Sequence, residues 1–262
     1  MTKKWKLVCI FLASSIVVLV SLYFFVFRNQ HVTWYTGNYG DVVSDTSCTV
    51  LGVNVHGDIM TYIPPSDTEI DAVGSEDILY ALSTLEDAPY VKAVILDIDS
   101  YGGSAVAAEE IATALSKLPV PVVAVVRGAA TSAAYWIASA SDHIIASRFS
   151  DVGGIGVTMS YIDESKVNQK EGYTWNSLSI GRFKDAGNPQ KPLTREERAL
   201  FERDLAIVHT GFIDAVTKNR GLDRGVVTAL ADGATMLGEQ ARTVGLIDVV
   251  GSFDDAYEYL RA

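Results

Sequence analysis

Between Val91 and Ile98 the chain carries Ala93-Val94-Ile95-Leu96, four apolar residues in succession with no polar alternation. A strand wet on one side alternates. A run apolar on both faces fits a sheet covered on both sides, as parallel sheets are. Val122 to Val126 repeats the pattern, with Pro119 and Pro121 just ahead of it. Each run leads through small residues into a segment of helical character, about Ala105 to Leu118 and then from Ser132 onward. Strand, helix, strand, helix in that order predicts one α/β domain with a mostly parallel sheet.

The rest of the chain extends this pattern. Cys48 to Ile59 reads as a first strand, and Tyr62 to Val73, with Pro64-Pro65, as a loop. Ser75 to Leu85 has Ile78, Leu79, Leu82 and Leu85 at helical spacing. A strand is expected at His143–Ala146, a glycine-rich turn entering a strand within Val152–Tyr161, a short helix at Glu164–Glu171 and a strand at Tyr173–Ile180. Gly181 to Pro192 is a basic, irregular loop with Arg182, Lys184 and Lys191. Thr194 with Glu197 forms a capping box that opens a helix to about Asn219. Short helices near 225–231 and 239–244, a strand at Leu246–Val249 and a helix from Ser252 complete the pattern.

Ahead of the domain, Lys3, Lys4 and Lys6 precede Leu7 to Phe27, 21 residues without a charge, and Arg28 closes the run. That length crosses a hydrocarbon layer of roughly 30 Å as a helix. A cleavable signal peptide has an apolar region of about 7–15 residues ending in a small-x-small site. Tyr23, Phe24, Phe25 and Phe27 stand where small residues belong, so an uncleaved anchor is expected. The lysines place residues 1–6 in the cytoplasm and the domain outside the cell membrane. Residues 28–47 read as a tether and 48–262 as the domain. Removing the four positive charges of the anchor region from the formal −11 leaves −15 on the remainder, which argues against nucleic acid. Cys9 and Cys48 offer no disulfide framework, and His31, His56, His143 and His209 show no metal-ligand spacing.

Chemistry concentrates in Arg127 to Ile137, a block of small residues with Ser132 at the first turn of a helix. Small neighbours let a backbone approach the hydroxyl, and a helix N-terminus offers N–H groups to a developing negative charge. A plainer reading makes Thr131 or Ser132 an N-cap of a tightly packed helix. Asp99-Ser100-Tyr101-Gly102-Gly103-Ser104 joins a strand to a helix, either presenting glycine N–H groups or serving as an ordinary turn. A nucleophilic serine needs a base. No Gly-x-Ser-x-Gly elbow is present, and His143 follows Ser132 by only eleven residues. Of the domain's lysines, 92, 117, 166, 170 and 218 fall on helix faces or element ends; Lys184 lies among Gly181, Phe183, Ala186 and Gly187, in a loop that could fold over a site. A solvated loop lysine is the alternative there.

Ser100-Tyr101-Gly102-Gly103, Ala130-Thr131-Ser132-Ala133-Ala134-Tyr135, Gly153-Gly154-Ile155-Gly156-Val157 and Gly181-Arg182-Phe183-Lys184-Asp185-Ala186-Gly187-Asn188-Pro189 occur in this order, followed by Ala231-Asp232-Gly233 and Gly245-Leu246-Ile247-Asp248. With these motifs the chain, from about Cys48 to Ala262 and in its anchor, resembles the signal peptide peptidase A family in its short, single-domain form. The resemblance implies a Clp-protease/crotonase-like fold of repeated ββα units with a mostly parallel sheet. It implies a serine–lysine dyad, with Ser132 as nucleophile, Lys184 as general base and the Gly103 N–H, aided by Gly102, in the oxyanion hole. It also implies a homo-oligomeric ring in which Ser132 meets Lys184 of a neighbouring protomer, substrates that are remnant signal peptides and other peptides at the membrane, and no metal or organic cofactor. The chain departs from the family's pattern in three places. Ala133-Ala134 stands for Gly-Gly, Tyr101 for Pro, and Gly154 for a Ser that would orient the lysine, a task left to Thr158 or Ser160. Two other readings share the fold: a non-catalytic ring scaffold, and a crotonase-type acyl-CoA enzyme, which the acidic ectodomain and the anchor disfavour.

Overall fold

The continuous apolar runs are central strands of a parallel sheet in a computed structural model that describes residues 49–64 and 70–262, together with the backbone of Val32–Tyr35. The expected cytoplasmic end, the span Leu7–Phe27, both cysteines and most of the tether lie outside the described residues. Among residues 28–47, Val32–Tyr35 forms an edge strand, β1. It lies parallel to the start of β2 (Val50–Met60). β2 is followed across the sheet by β4 (Ala93–Gly103), β5 (Val122–Thr131), β6 (His143–Ala146) and β9 (Val249–Val250), all parallel. β3 (Ala72–Gly74) pairs with the end of β2. β7 (Asp151–Gly153) continues parallel to the end of β5 and pairs antiparallel with β8 (Thr235–Leu237).

The side-chain period of two sorts each apolar run between two cores. Val94, Leu96 and Ile98 of β4, with Val122, Ala124 and Val126 of β5, face the larger core. It is completed by α1 (Ser75–Ser83), α2 (Ala105–Leu115), α3 (Ala133–Ser139), α5 (Arg195–Arg220), α6 (Arg224–Leu230) and α7 (Gly238–Thr243). Ala93, Ile95, Val123 and Val125 face the other way, onto Ala256 and its neighbours in α8 (Phe253–Arg261). Burial on both faces is what the missing alternation predicts.

α5 starts where the capping box does. The Thr194 hydroxyl accepts the Glu197 N–H at 3.2 Å, the Glu197 carboxylate accepts the Thr194 N–H at 2.9 Å, and Lys191 Nζ reaches the same carboxylate at 2.5 Å. Gly221, at φ 64°, ends the helix.

Three expected strands are corrected. The one expected at Leu246–Val249 shrinks to Val249–Val250, because the Gly245 and Leu246 carbonyls accept from the Arg220 guanidinium and the Tyr135 hydroxyl instead of a ladder. The strand near Val152 ends at Gly153 rather than following the glycines: Gly153, at φ 99°, is its last paired residue, and the ladder stops at Gly154, at φ 58°. Residues 173–180 form no strand. They follow α4 (Ser165–Glu171) as an irregular arm on which Leu178 and Ile180 are fully exposed.

Candidate active site

β5 delivers Ser132 to the carboxyl end of the sheet, and α3, all seven of whose residues are buried, fixes the far side of the turn. Between them the backbone of Ser132 adopts φ 53°, ψ −126°. Among the described residues it is the only non-glycine with positive φ. Such a conformation costs of order 1–3 kcal/mol and persists only when its surroundings enforce it. Here the Ser132 N–H donates to the Gly153 carbonyl at 2.9 Å, and the Ser132 carbonyl accepts the Trp136 N–H at 3.0 Å. Neither hydroxyl of the Thr131-Ser132 pair caps α3. Ser132 occupies the N-cap position without a side-chain capping bond, and the Thr131 hydroxyl donates to the Tyr101 carbonyl at 3.0 Å. The strained strand-to-helix turn exposes a hydroxyl as a nucleophile elbow does, though the Gly-x-Ser-x-Gly spelling is absent.

The Gly102-Gly103 turn lies against this serine. A Cβ on Gly102 would fall 2.8 Å from Ser132 Cβ and 3.2 Å from the Ala133 N; one on Gly103 would fall 2.2 Å from the Ile59 carbonyl oxygen. Both glycines have positive φ, 117° and 151°. Only residues without a side chain let β4 approach both β2 and the serine so closely. The Gly102 N–H is directed to Ser100 Oγ at 3.1 Å, which leaves Gly103 as the glycine of the pair whose N–H Ser100 does not take. At its N-terminus α3 has orphan N–H groups, the first being that of Ala133 beside Gly102.

Beside the serine opens a cavity of about 100 Å³ lined by Gly103, Ala105, Ser132, Ala133, Trp136, Gly156, Val157, Thr158, Val208 and Phe212. Trp136 and Phe212 stack at 5.0 Å and form its apolar wall. No histidine lines it. His143 is stacked on Tyr259 at 4.1 Å, beside Asp248. Thr158 is a lining residue, whereas Ser160 is exposed and is not.

Within one chain Lys184 does not line the cavity beside Ser132: it is exposed and, among the described residues, without an ion-pair partner. Its loop is nonetheless built. The Lys184 N–H donates to the Gly181 carbonyl, Arg182 pairs with Glu196 at 2.6 Å and lies over Phe183, and Asp185 accepts the Asn188 amide at 2.8 Å. Bonds from Asn188, then Ser177 and Trp175, hold the Asp185 carboxyl below the usual range. This carboxylate therefore ties the loop to the preceding arm.

The three departures have physical accounts. Ala133 and Ala134 are both helical and buried, so neither position needs a glycine. Tyr101 contributes its backbone carbonyl to Thr131 while its side chain stays exposed. Gly154 holds φ 58°, and a Cβ there would sit 3.3 Å from the Ser132 N, so a serine would be strained at this position.

The chain belongs to peptidase family S49, whose sequence model matches residues 114–262. A second model, described as Clp protease, matches residues 62–150. A protein of Methanocaldococcus jannaschii named as a protease, MJ0651, is 34% identical over 68% of this chain and 58% of its own length. One of Enterococcus faecium named as a signal peptide peptidase, SppA, is 31% identical over 71% and 55%. The chain thus spans somewhat over half the length of these relatives. Among solved structures, a ClpP1 mutant from Listeria monocytogenes superposes with a TM-score of 0.50 at 12% identity, covering 79% of this chain and 94% of that one. The fold is Clp-protease-like.

Proposed function

We propose that this chain is a membrane-anchored serine endopeptidase in which Ser132 is the nucleophile and Lys184, supplied by a neighbouring copy in a homo-oligomeric ring, is the general base. The observation that carries the reading is the enforced positive-φ turn at Ser132, which presents a hydroxyl uncommitted to capping between the glycine turn and an apolar cavity. Leu7–Phe27 would hold the chain in the cell membrane with the domain outside, where it meets remnant signal peptides and other membrane-associated or unfolded peptides. The cavity beside Ser132 would accept a small or apolar side chain next to the scissile bond.

In the proposed cycle the uncharged amine of Lys184 takes the Ser132 proton as Oγ attacks the peptide carbonyl. The Gly103 N–H receives the oxyanion, the ammonium returns the proton to the departing amine, and the acyl-enzyme forms. Water activated by Lys184 then releases the acid and restores the serine. Thr158, which lines the cavity, is the better placed of the two hydroxyls proposed to orient the lysine.

Hydrolysis of an apolar reporter peptide by the full chain tests this. Ser132→Ala and Lys184→Ala should each lose activity by about 10³-fold or more. Mixed oligomers of the two inactive variants should regain part of it, because some sites then pair an intact serine with an intact lysine. Either variant retaining near-wild-type rates would remove the dyad. A wild-type chain with no hydrolysis would favour the scaffold reading.

A further inference from the structure

We propose that Ser100 is a positioning residue that aims the Gly103 N–H at the oxyanion, an inference that rests on Ser132 being the nucleophile. A pair of glycines at φ 117° and 151° has little intrinsic preference for that shape, so the direction of its N–H groups must be set from outside. Ser100 is 1% exposed and sits where two strand registers slip, β2 against β4 between His56 and Asp58, and β4 against β5 between Ile98 and Ser100. Its single hydroxyl proton goes to the Gly57 carbonyl at 2.6 Å. The oxygen can therefore act only as acceptor toward Gly102, whose N–H it takes at 3.1 Å.

The other end of the same peptide plane is also held, because the Tyr101 carbonyl accepts the Thr131 hydroxyl at 3.0 Å. Two hydroxyls thus fix the Tyr101–Gly102 plane, one of them on the residue preceding the nucleophile. The anchor beneath is itself rigid. Gly57 lies at φ 70°, where a Cβ would meet the Asp71 carbonyl oxygen at 2.2 Å, and on the far side the Ser104 N–H is bound to the Ile59 carbonyl at 2.7 Å. With the planes on both sides fixed, the peptide carrying the Gly103 N–H has one orientation. Ser100 itself touches no substrate.

Ser100→Ala tests this in the full chain, by steady-state hydrolysis of an apolar peptide and inhibition by the corresponding peptide aldehyde, whose adduct carries an oxyanion. A misaimed donor weakens only the charged tetrahedral state, so kcat should fall about 10–100-fold with KM within about twofold. Aldehyde affinity should fall by the same factor as kcat, while binding of the uncleaved peptide to the Ser132→Ala background stays unchanged by the added substitution. Should Ser100→Ala fail to fold, Thr131→Val releases the carbonyl end of the same plane and must give the same split. Unchanged kcat, or kcat, KM and ground-state binding moving together, would overturn the proposal. Failure of the wild-type chain to hydrolyse peptide or bind aldehyde would instead sink the nucleophile reading, and this proposal with it.

Discussion

Ser132 and Gly154 show how much the site depends on single backbone angles. A serine at position 154 would have to adopt φ 58° with its Cβ against the Ser132 backbone. Gly154→Ser should therefore destabilise the domain by about 1–2 kcal/mol, the usual cost of a left-handed conformation for a residue with a side chain. Chemical denaturation would measure it, and a variant as stable as wild type would show that the turn relaxes at no cost. Ser132 and the glycine pair were legible because small-residue blocks interrupting apolar runs stand out in a sequence. The residues that hold them were not. Ser100 and Thr131 act through hydrogen bonds across β2, β4 and β5, and an isolated polar residue at a strand end says nothing about which carbonyl it will meet. The cavity wall was equally hidden, since Trp136 and Phe212 lie far apart in the chain and meet only when α3 packs on α5.

The two central strands and the long helix were readable because each carries its own signal, unbroken apolarity in one case and a capping box in the other. Thr194→Ala should cost about 1 kcal/mol by exposing the α5 N-terminus, read as a lower denaturation midpoint. Elements formed only through partners were lost or misplaced: β8 exists because β7 pairs with it, and Val249–Val250 is cut short by side chains that claim its neighbours' carbonyls. That corner also carries a pH dependence. Burial raises the affinity of the Asp248 carboxyl for a proton, but bonds from Arg220 and the Ile144 N–H and the nearby charges of Arg220 and His143 outweigh it, leaving the group below the ordinary carboxylate range. A depressed carboxylate contributes stability above its unfolded-state pKa, about 3.9, and that contribution is lost as pH falls through the lower folded value. The stability gap between wild type and Asp248→Asn should be widest near neutrality and close below about pH 4. A gap that stays constant down to about pH 2 would assign the network no electrostatic role.

For the molecule as a whole, the exposed apolar side chains of the arm at residues 173–180 are the feature that one chain leaves unexplained. Ile162, Tyr173, Leu178 and Ile180 lie exposed on segments flanking α4, close in sequence to Lys184. Large exposed apolar side chains gathered in one stretch of chain are what a contact surface requires. In the proposed ring this arm packs on a neighbour and carries Lys184 to its site. Leu178→Asp with Ile180→Asp should therefore lower the oligomeric state, seen by light scattering in detergent, and abolish hydrolysis while leaving the domain folded. A fully active monomer would contradict the shared site. The sequence indicated the loop but not the arm's conformation, because alternating apolar residues read as a strand whether or not a neighbouring strand is there to pair with. The most direct measurement is intact and peptide mass spectrometry of the full chain after reaction with a serine-directed acylating probe. One adduct per chain is expected, on Ser132, formed at least about 100-fold more slowly in Lys184→Ala. An adduct on another serine, or labelling of Ser132 indifferent to Lys184, would contradict it.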